Sequence, residues 1–137
     1  MRPNILARFG IEAAIRELSE DMSELADLKL VLHTEPLPQR VDSRTATMLF
    51  RIAREAMMNV VRNAGASEMH VTFRPVDAGV ELRIEDDGVG FNLEAALSKS
   101  PIGLELMFDR ADSLNGRLNI RPRTGGGTSV ELQILKI

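Results

Sequence analysis

Asp86 is an acidic residue where the surrounding pattern calls for an apolar one. Val80, Leu82 and Ile84 alternate with polar residues and fix the inward side of their strand, and Asp86 continues that parity. An ionised carboxylate at a buried strand end is costly unless it accepts hydrogen bonds, so a donor must face it. Asp87-Gly88-Val89-Gly90 follows, a run that lets the backbone turn sharply and approach a ligand closely. The same residues also read as a plain turn in which Asp86 caps local amides.

A second group lies on the strongest helical pattern of the chain. Glu55 and Asn59 are four positions apart and so stack one turn above each other, with Arg62 near Glu55 on the same flank and Asn63 inside the apolar stripe. A carboxylate and a carboxamide placed this way offer oxygens to a hard cation such as Mg²⁺, which takes few protein oxygens and completes its shell with phosphate and water. The alternative is a solvated face on which Glu55 pairs with Arg51 or Arg62. A third feature, Thr124-Gly125-Gly126-Gly127-Thr128, is by itself only a glycine-rich hairpin turn. His33 and His70 sit within short strand patterns and read as surface or edge-strand histidines, and the methionines read as core filler.

The elements that must position these residues follow from periodicity. Ile11, Ala14, Ile15, Leu18, Met22 and Leu25 recur at helical spacing, and Lys29 to Glu35 reads as a strand closed by Pro36-Leu37-Pro38. After the capping candidates Asp42 and Ser43, a broad stripe from Leu49 to Ala64 predicts a long helix that stops at Gly65. Met69, Val71 and Phe73 alternate, Asp77-Ala78-Gly79 turns, and Val80, Leu82 and Ile84 alternate again, giving an antiparallel hairpin. Leu104, Met107, Ala111 and Leu114 mark a further helix ending at Asn115-Gly116, and a last hairpin pairs Leu118 and Ile120 with Val130, Leu132 and Ile134. The order αβαββαββ predicts an α+β fold: a two-layer α/β sandwich whose mostly antiparallel mixed sheet is covered on one face by helices.

Composition excludes more than it names. The 137 residues fit one domain, with 44% hydrophobic and 27% charged residues. Seventeen Lys and Arg against 20 Asp and Glu leave a net charge of −3 with no dense basic run, so there is no footprint for nucleic acid or for direct contact with an anionic membrane. The absence of Cys removes disulfides and thiolate chemistry and accords with a cytoplasmic location. Two His, no Trp and no Tyr argue against a His-rich zinc site or an aromatic base-stacking surface.

In order, the three features resemble the boxes of the ATP-binding domain shared by sensor histidine kinases, DNA gyrase, the heat-shock chaperone ATPase and MutL, which has the Bergerat-type fold. Glu55-Ala56-Met57-Met58-Asn59-Val60-Val61-Arg62-Asn63-Ala64 is similar to the N box, Asp86-Asp87-Gly88-Val89-Gly90-Phe91 to the D-x-G-x-G box, and Gly125-Gly126-Gly127-Thr128 to the G-x-G-T box. Arg2 to Ile15, Arg54-Glu55-Ala56 and the segment Gly103 to Ala111 resemble the nitrate-sensor-type histidine kinases in particular. The resemblance implies a division into residues 1–28, a linker from dimerisation helices plus the first helix, and residues 29–137, the ATP-binding catalytic domain, all within one compact unit.

It implies roles as well. Asp86 would accept the adenine amine, Gly88 and Gly90 would leave room for the base, and Thr128 would bring a hydroxyl to the adenine pocket. Asn59 would hold Mg²⁺ against the phosphates, and Glu55 would act as a base or orient a metal-bound water. Arg62 and Asn63 would contact phosphate or ribose. Asn92 to Ile102 would form a short lid, with Gly103 and Leu104 offering helix N-terminal amides to phosphate. Departures from the family pattern are Pro101 for the first lid glycine, Leu106 for a later one, Asn63 for histidine and Arg54 for glutamine. Implied cofactors are ATP and Mg²⁺. Implied partners are a dimerisation and phosphoacceptor helical domain of the same homodimeric parent, which could be membrane-anchored, and a downstream response regulator. Two other readings are an anti-sigma-factor-type serine kinase and a degenerate regulatory module that binds a partner without nucleotide turnover.

Overall fold

The computed structural model describes residues 4–63, 65–88, 101–123 and 125–136. In chain order they form α1 (Asn4–Ala26), β1 (Lys29–Thr34), α2 (Ser43–Asn63), β2 (Glu68–Val76), β3 (Gly79–Asp86), α3 (Pro101–Ser113), β4 (Gly116–Pro122) and β5 (Thr128–Ile134). Among the described residues the order is the αβαββαββ expected from periodicity.

Asp42, of the two capping candidates, is the one in place. Its Oδ1 accepts the Thr45 N–H at 2.9 Å, satisfying one of the amides left open at the start of α2 and holding the carboxyl below its ordinary pKa. The expected stripe is buried from Leu49 through Ile52, Ala53, Ala56 and Met57 to Val60. Beyond Asn63 the chain leaves the helix through Gly65, whose φ of 58° is the left-handed conformation that glycine adopts at low cost.

The five strands form one mixed sheet in the order β1-β2-β3-β5-β4. Only β1 and β2 are parallel, and α2 supplies the crossover that such a pair requires. The other three pairings are antiparallel. Register places Leu32, Val71, Ile84, Val130 and Ile120 across one row and Phe73, Leu82, Leu132 and Leu118 across the next. These rows pack with Ile15 and Leu18 of α1, the α2 stripe, and Met107 and Ala111 of α3 in one continuous core. The opposite face carries charge: Arg74 and Arg83 approach Glu81 at 3.3 and 3.5 Å, and Arg121 pairs with Glu131 at 2.7 Å. Glu81 is buried even on that side, beneath its two arginines.

The first helix departs from expectation at both ends. It begins at Asn4 rather than Ile11 and is broken at Gly10, where φ 87° and ψ 179° interrupt the helical path. Leu25, expected on the buried stripe, is 70% exposed, and Met22 is the last residue of α1 in the core. Asp27, with φ 53°, turns the chain toward β1 before the stripe completes another turn. The third helix starts at Pro101, so the last two residues of the expected lid turn are helical. Pro at a first helical position is favourable, because the amide it lacks has no intrahelical acceptor there.

Candidate functional site

The inward row next to the core ends in polar residues. Met69, Asp86, Thr128 and Pro122 stand side by side on β2, β3, β5 and β4, and Asp86 and Thr128 are direct partners in the β3–β5 ladder. Asp86 is 4% exposed, as its parity demanded. Its Oδ1 accepts the Gly88 N–H at 2.9 Å. Burial raises its pKa above the ordinary carboxylate value, against the opposing pull of the Gly88 and Thr128 amides, while neighbouring Asp87 adds to the rise. The donor required by a buried carboxylate is therefore partly supplied by the turn itself, as the plain-turn alternative held. The carboxylate still stands at the edge of the core with acceptor capacity beyond the Gly88 bond.

The Asp87 side chain behaves differently. Its Oδ1 accepts the N–H groups of Ser67 and Glu68, each at 2.8 Å, and its Oδ2 accepts the Ser67 hydroxyl at 2.5 Å. These bonds hold its carboxyl down to about 2. On the other side of the same turn, Gly127 has φ 98°, and a Cβ there would lie 1.9 Å from the Asp86 carbonyl oxygen. Only glycine lets β5 enter this close to the end of β3. Sequence reasoning did not assign a role to either residue. Asp87 read as a turn former, and Gly127 as part of a glycine-rich turn that resembles the G-x-G-T box.

The helix residues sit at the same end of the sheet, because α2 runs back from the end of β1 to the start of β2. Glu55 and Asn59 are half-buried and Arg62 is exposed in the last turn. Among the described residues none of the three has a side-chain hydrogen bond or ion pair, so Glu55 is not consumed by Arg51 or Arg62. Asn63 is the last residue of the helix, and its side chain lies outside the described residues, as do Gly90 and the lid stretch 92–100. Gly103 and Leu104 fall in the first turn of α3, whose opening amides, up to that of Gly103, lack intrahelical acceptors. No cluster of three or more His, Asp or Glu side chains suited to a metal occurs among the described residues. Two neighbouring oxygen-bearing side chains without partners suit a cation held mainly by phosphate and water, which is the habit of Mg²⁺.

A cleft of about 670 Å³ lies at the opposite end of the sheet, between Leu6, Phe9 and Ile11 of α1 and Leu37, Pro38 and Val41 of the β1–α2 connection. It contains neither Asp86 nor the α2 carboxylate and carboxamide.

Residues 45–136 match the family described as Histidine kinase-, DNA gyrase B-, and HSP90-like ATPase. The chain belongs to this family. As a member of it, the chain is 36% identical over 121 residues to the nitrate/nitrite sensor protein NarX of Escherichia coli K12, across 88% of this chain and 20% of NarX. It thus spans about one fifth of the length of that relative. Among solved structures, the histidine kinase domain of the Erythrobacter litoralis EL346 blue-light activated kinase superposes with a TM-score of 0.75 at 19% identity, covering 90% of this chain and 60% of that one. The ATP binding domain of PrrB from Mycobacterium tuberculosis superposes with a TM-score of 0.71 at 23% identity, covering 90% and 92%. At these identities the likeness is one of fold. The fold is that of histidine-kinase-type ATPase domains, and ATP is the nucleotide of this family. Among the described residues no helix is long and apolar enough to cross a membrane.

Proposed function

We propose that this chain is the Mg·ATP-binding catalytic domain of a two-component sensor histidine kinase, which transfers the γ-phosphoryl to a His on a separate dimerisation domain for relay to a response regulator. The observation that carries the reading is Asp86: a carboxylate 4% exposed at the inward end of β3, directly opposite Thr128. A buried carboxylate with spare acceptor capacity, beside a hydroxyl and a glycine turn, suits an exocyclic amine of adenine. In this reading Gly88, and Gly90 beyond it, admit the base. Arg62 and Asn63 take phosphate or ribose oxygens, as do the α3 amides of Gly103 and Leu104, where the helix dipole favours anions. Glu55 serves as base, or orients a water, while Asn59 supplies an oxygen to the cation. Mg²⁺, when bound, neutralises phosphate charge as it develops in the transfer.

The transfer itself is a displacement. The lone pair of a neutral His nitrogen forms the N–P bond as the bond from γ-phosphorus to the bridging oxygen breaks, and ADP leaves. Such a reaction needs chiefly positioning and charge stabilisation, so the binding groups are also the catalytic apparatus. The reading is tested by titrating Mg·ADP into the parent chain and Asp86→Asn by calorimetry. Weakened ADP binding by Asp86→Asn is expected; equal affinity of the two proteins would sink the reading.

A further inference from the structure

Asp86 is not tied to β2 by its own carboxylate, whose hydrogen-bonding amides come from Gly88, two residues ahead, and from Thr128 on β5. Beyond its ladder pairing with Met69, the side-chain tie to the start of β2 comes from its neighbour. Asp87 reaches back 20 residues and takes three donors with its two oxygens, two amides and the hydroxyl of Ser67. The carbonyl of Ser67 in turn accepts the Lys29 N–H at 2.9 Å, so the starts of β1 and β2 and the end of β3 are joined in one chain of hydrogen bonds. From the far side Gly127 closes on the same two residues, with its missing Cβ only 1.9 Å from the Asp86 oxygen and 3.0 Å from Asp87 Cα. Residues 86 and 87 are therefore held on one flank by the Asp87 carboxylate and on the other by β5.

We propose that Asp87 is a positioning residue of the nucleotide site: by anchoring the end of β3 to Ser67 and Glu68 it fixes where Asp86 meets the base. The inference rests on the assignment of Asp86 to adenine made above. The anchor has a second consequence. Glu68 begins the strand that follows α2, the helix carrying Glu55, Asn59 and Arg62, and Ser67 immediately precedes it. One carboxylate thus sets the spacing between the base-reading turn and the helix that faces the phosphates. Both ends of a nucleotide must be met at once, and a displacement near 1 Å at one end can cost on the order of a hundredfold in activity. A plain turn would need none of this, since local amides would satisfy the side chain. Hydrogen bonding holds the Asp87 carboxyl well below its ordinary range, so the anchor is ionised throughout the neutral region.

The substitutions are graded. Asp87→Ala removes all three bonds; Asp87→Asn keeps an oxygen for the two amides and a polar group for the hydroxyl; Ser67→Ala removes the hydroxyl bond alone. The experiment measures Mg·ADP and Mg·GDP dissociation constants for the full chain and these variants, with Asp86→Asn as reference and at a temperature where each variant is folded. GDP carries a carbonyl where ADP carries the amine, so the GDP-to-ADP ratio reports how well Asp86 is placed, which general loosening of the fold would not move. We expect Asp87→Ala to bind ADP roughly tenfold more weakly, as expected of lost preorganisation, with the ratio falling toward one. Asp87→Asn and Ser67→Ala should fall between it and the parent. An Asp87→Ala protein with parental ADP affinity and parental ratio overturns the proposal. If that variant does not fold, Ser67→Ala decides: a reduced ratio supports the anchor, an unchanged one overturns it. Should Asp86→Asn itself leave ADP affinity and the ratio unchanged, the assignment of Asp86 fails first and the anchor falls with it.

Discussion

Asp86 and Asp87 are adjacent and identical in type, yet their environments push them in opposite directions. Burial raises the first, while three donors lower the second from 3.8 to about 2. The consequences for stability have opposite signs. A folded-state pKa above the unfolded one means that Asp86 favours the fold below the unfolded value, and the benefit fades as pH rises through the raised value. Asp87 favours the fold in full above 3.8, and that benefit is lost as pH falls toward about 2. Asp87→Asn should therefore flatten the acid decline of stability across that interval, read as the urea midpoint against pH; a decline as steep as the parent's would assign it to other groups. At neutral pH Asp86→Asn removes a desolvated charge but leaves an oxygen for the Gly88 amide. Its melting temperature should be at or above the parent's while ADP binding weakens. The loss of a hydrogen bond to a charged group, about 1.5–3 kcal/mol, predicts roughly ten- to hundredfold. A lower melting temperature with undiminished ADP affinity would mean that Asp86 is structural. Placing strain or unpaired charge at a functional site in exchange for activity is a common pattern.

The β4–β5 turn shows how little element type says about which residue matters. Gly125, Gly126 and Gly127 all have positive φ, between 91° and 114°, but only Gly127 faces backbone that a Cβ would strike. Gly126→Ala should lose the cost of an unfavourable backbone conformation, about 1–3 kcal/mol, whereas Gly127→Ala should lose more and also weaken ADP binding by displacing Asp86. Equal urea midpoints for the two variants would show that the close approach is relieved elsewhere. Sequence patterning located what depends on local periodicity: the α2 stripe, the alternation ending at Asp86, and the last hairpin that carries Thr128. It could not reach contacts between residues far apart in the chain. Asp87 is bound 20 positions upstream and Gly127 abuts Asp86 from 41 positions away, and nothing in a single strand or turn encodes those meetings. The exposure of Leu25 was missed for a related reason. The helical period that starts at Ile11 continues through it, while the fully buried stripe of α1 ends at Met22.

At the scale of the molecule, the helices and the sheet divide the surface into two sides, and the division decides which histidine can receive a phosphoryl group. Glu55 and Asn59 lie on α2, on the covered face of the sheet, and Asp86 points to that face. His33 and His70 occupy the opposite parity from their buried neighbours Met69 and Val71 and the half-buried Leu32, so they project from the charged face. Each stands beside a glutamate there, His33 at 2.9 Å from Glu35 and His70 at 3.4 Å from Glu68. A phosphoryl group bound on the helix side cannot reach either within one molecule without unfolding the sheet. Incubated with Mg·ATP and radiolabel, the chain alone should stay unlabelled even though the nucleotide binds. Binding is checked by a rise in melting temperature: at 100 times the dissociation constant it adds roughly 2.7 kcal/mol, equivalent to about 10 °C for a domain of this size. Adding a purified dimerisation-helix domain from a nitrate-sensor-type kinase should place acid-labile label on that domain's histidine. Acid-stable label on a serine of an added protein would favour the serine-kinase reading. A thermal shift with no transfer to any acceptor would favour a binding module, and label on His33 or His70 would show that the two faces do not separate donor from acceptor.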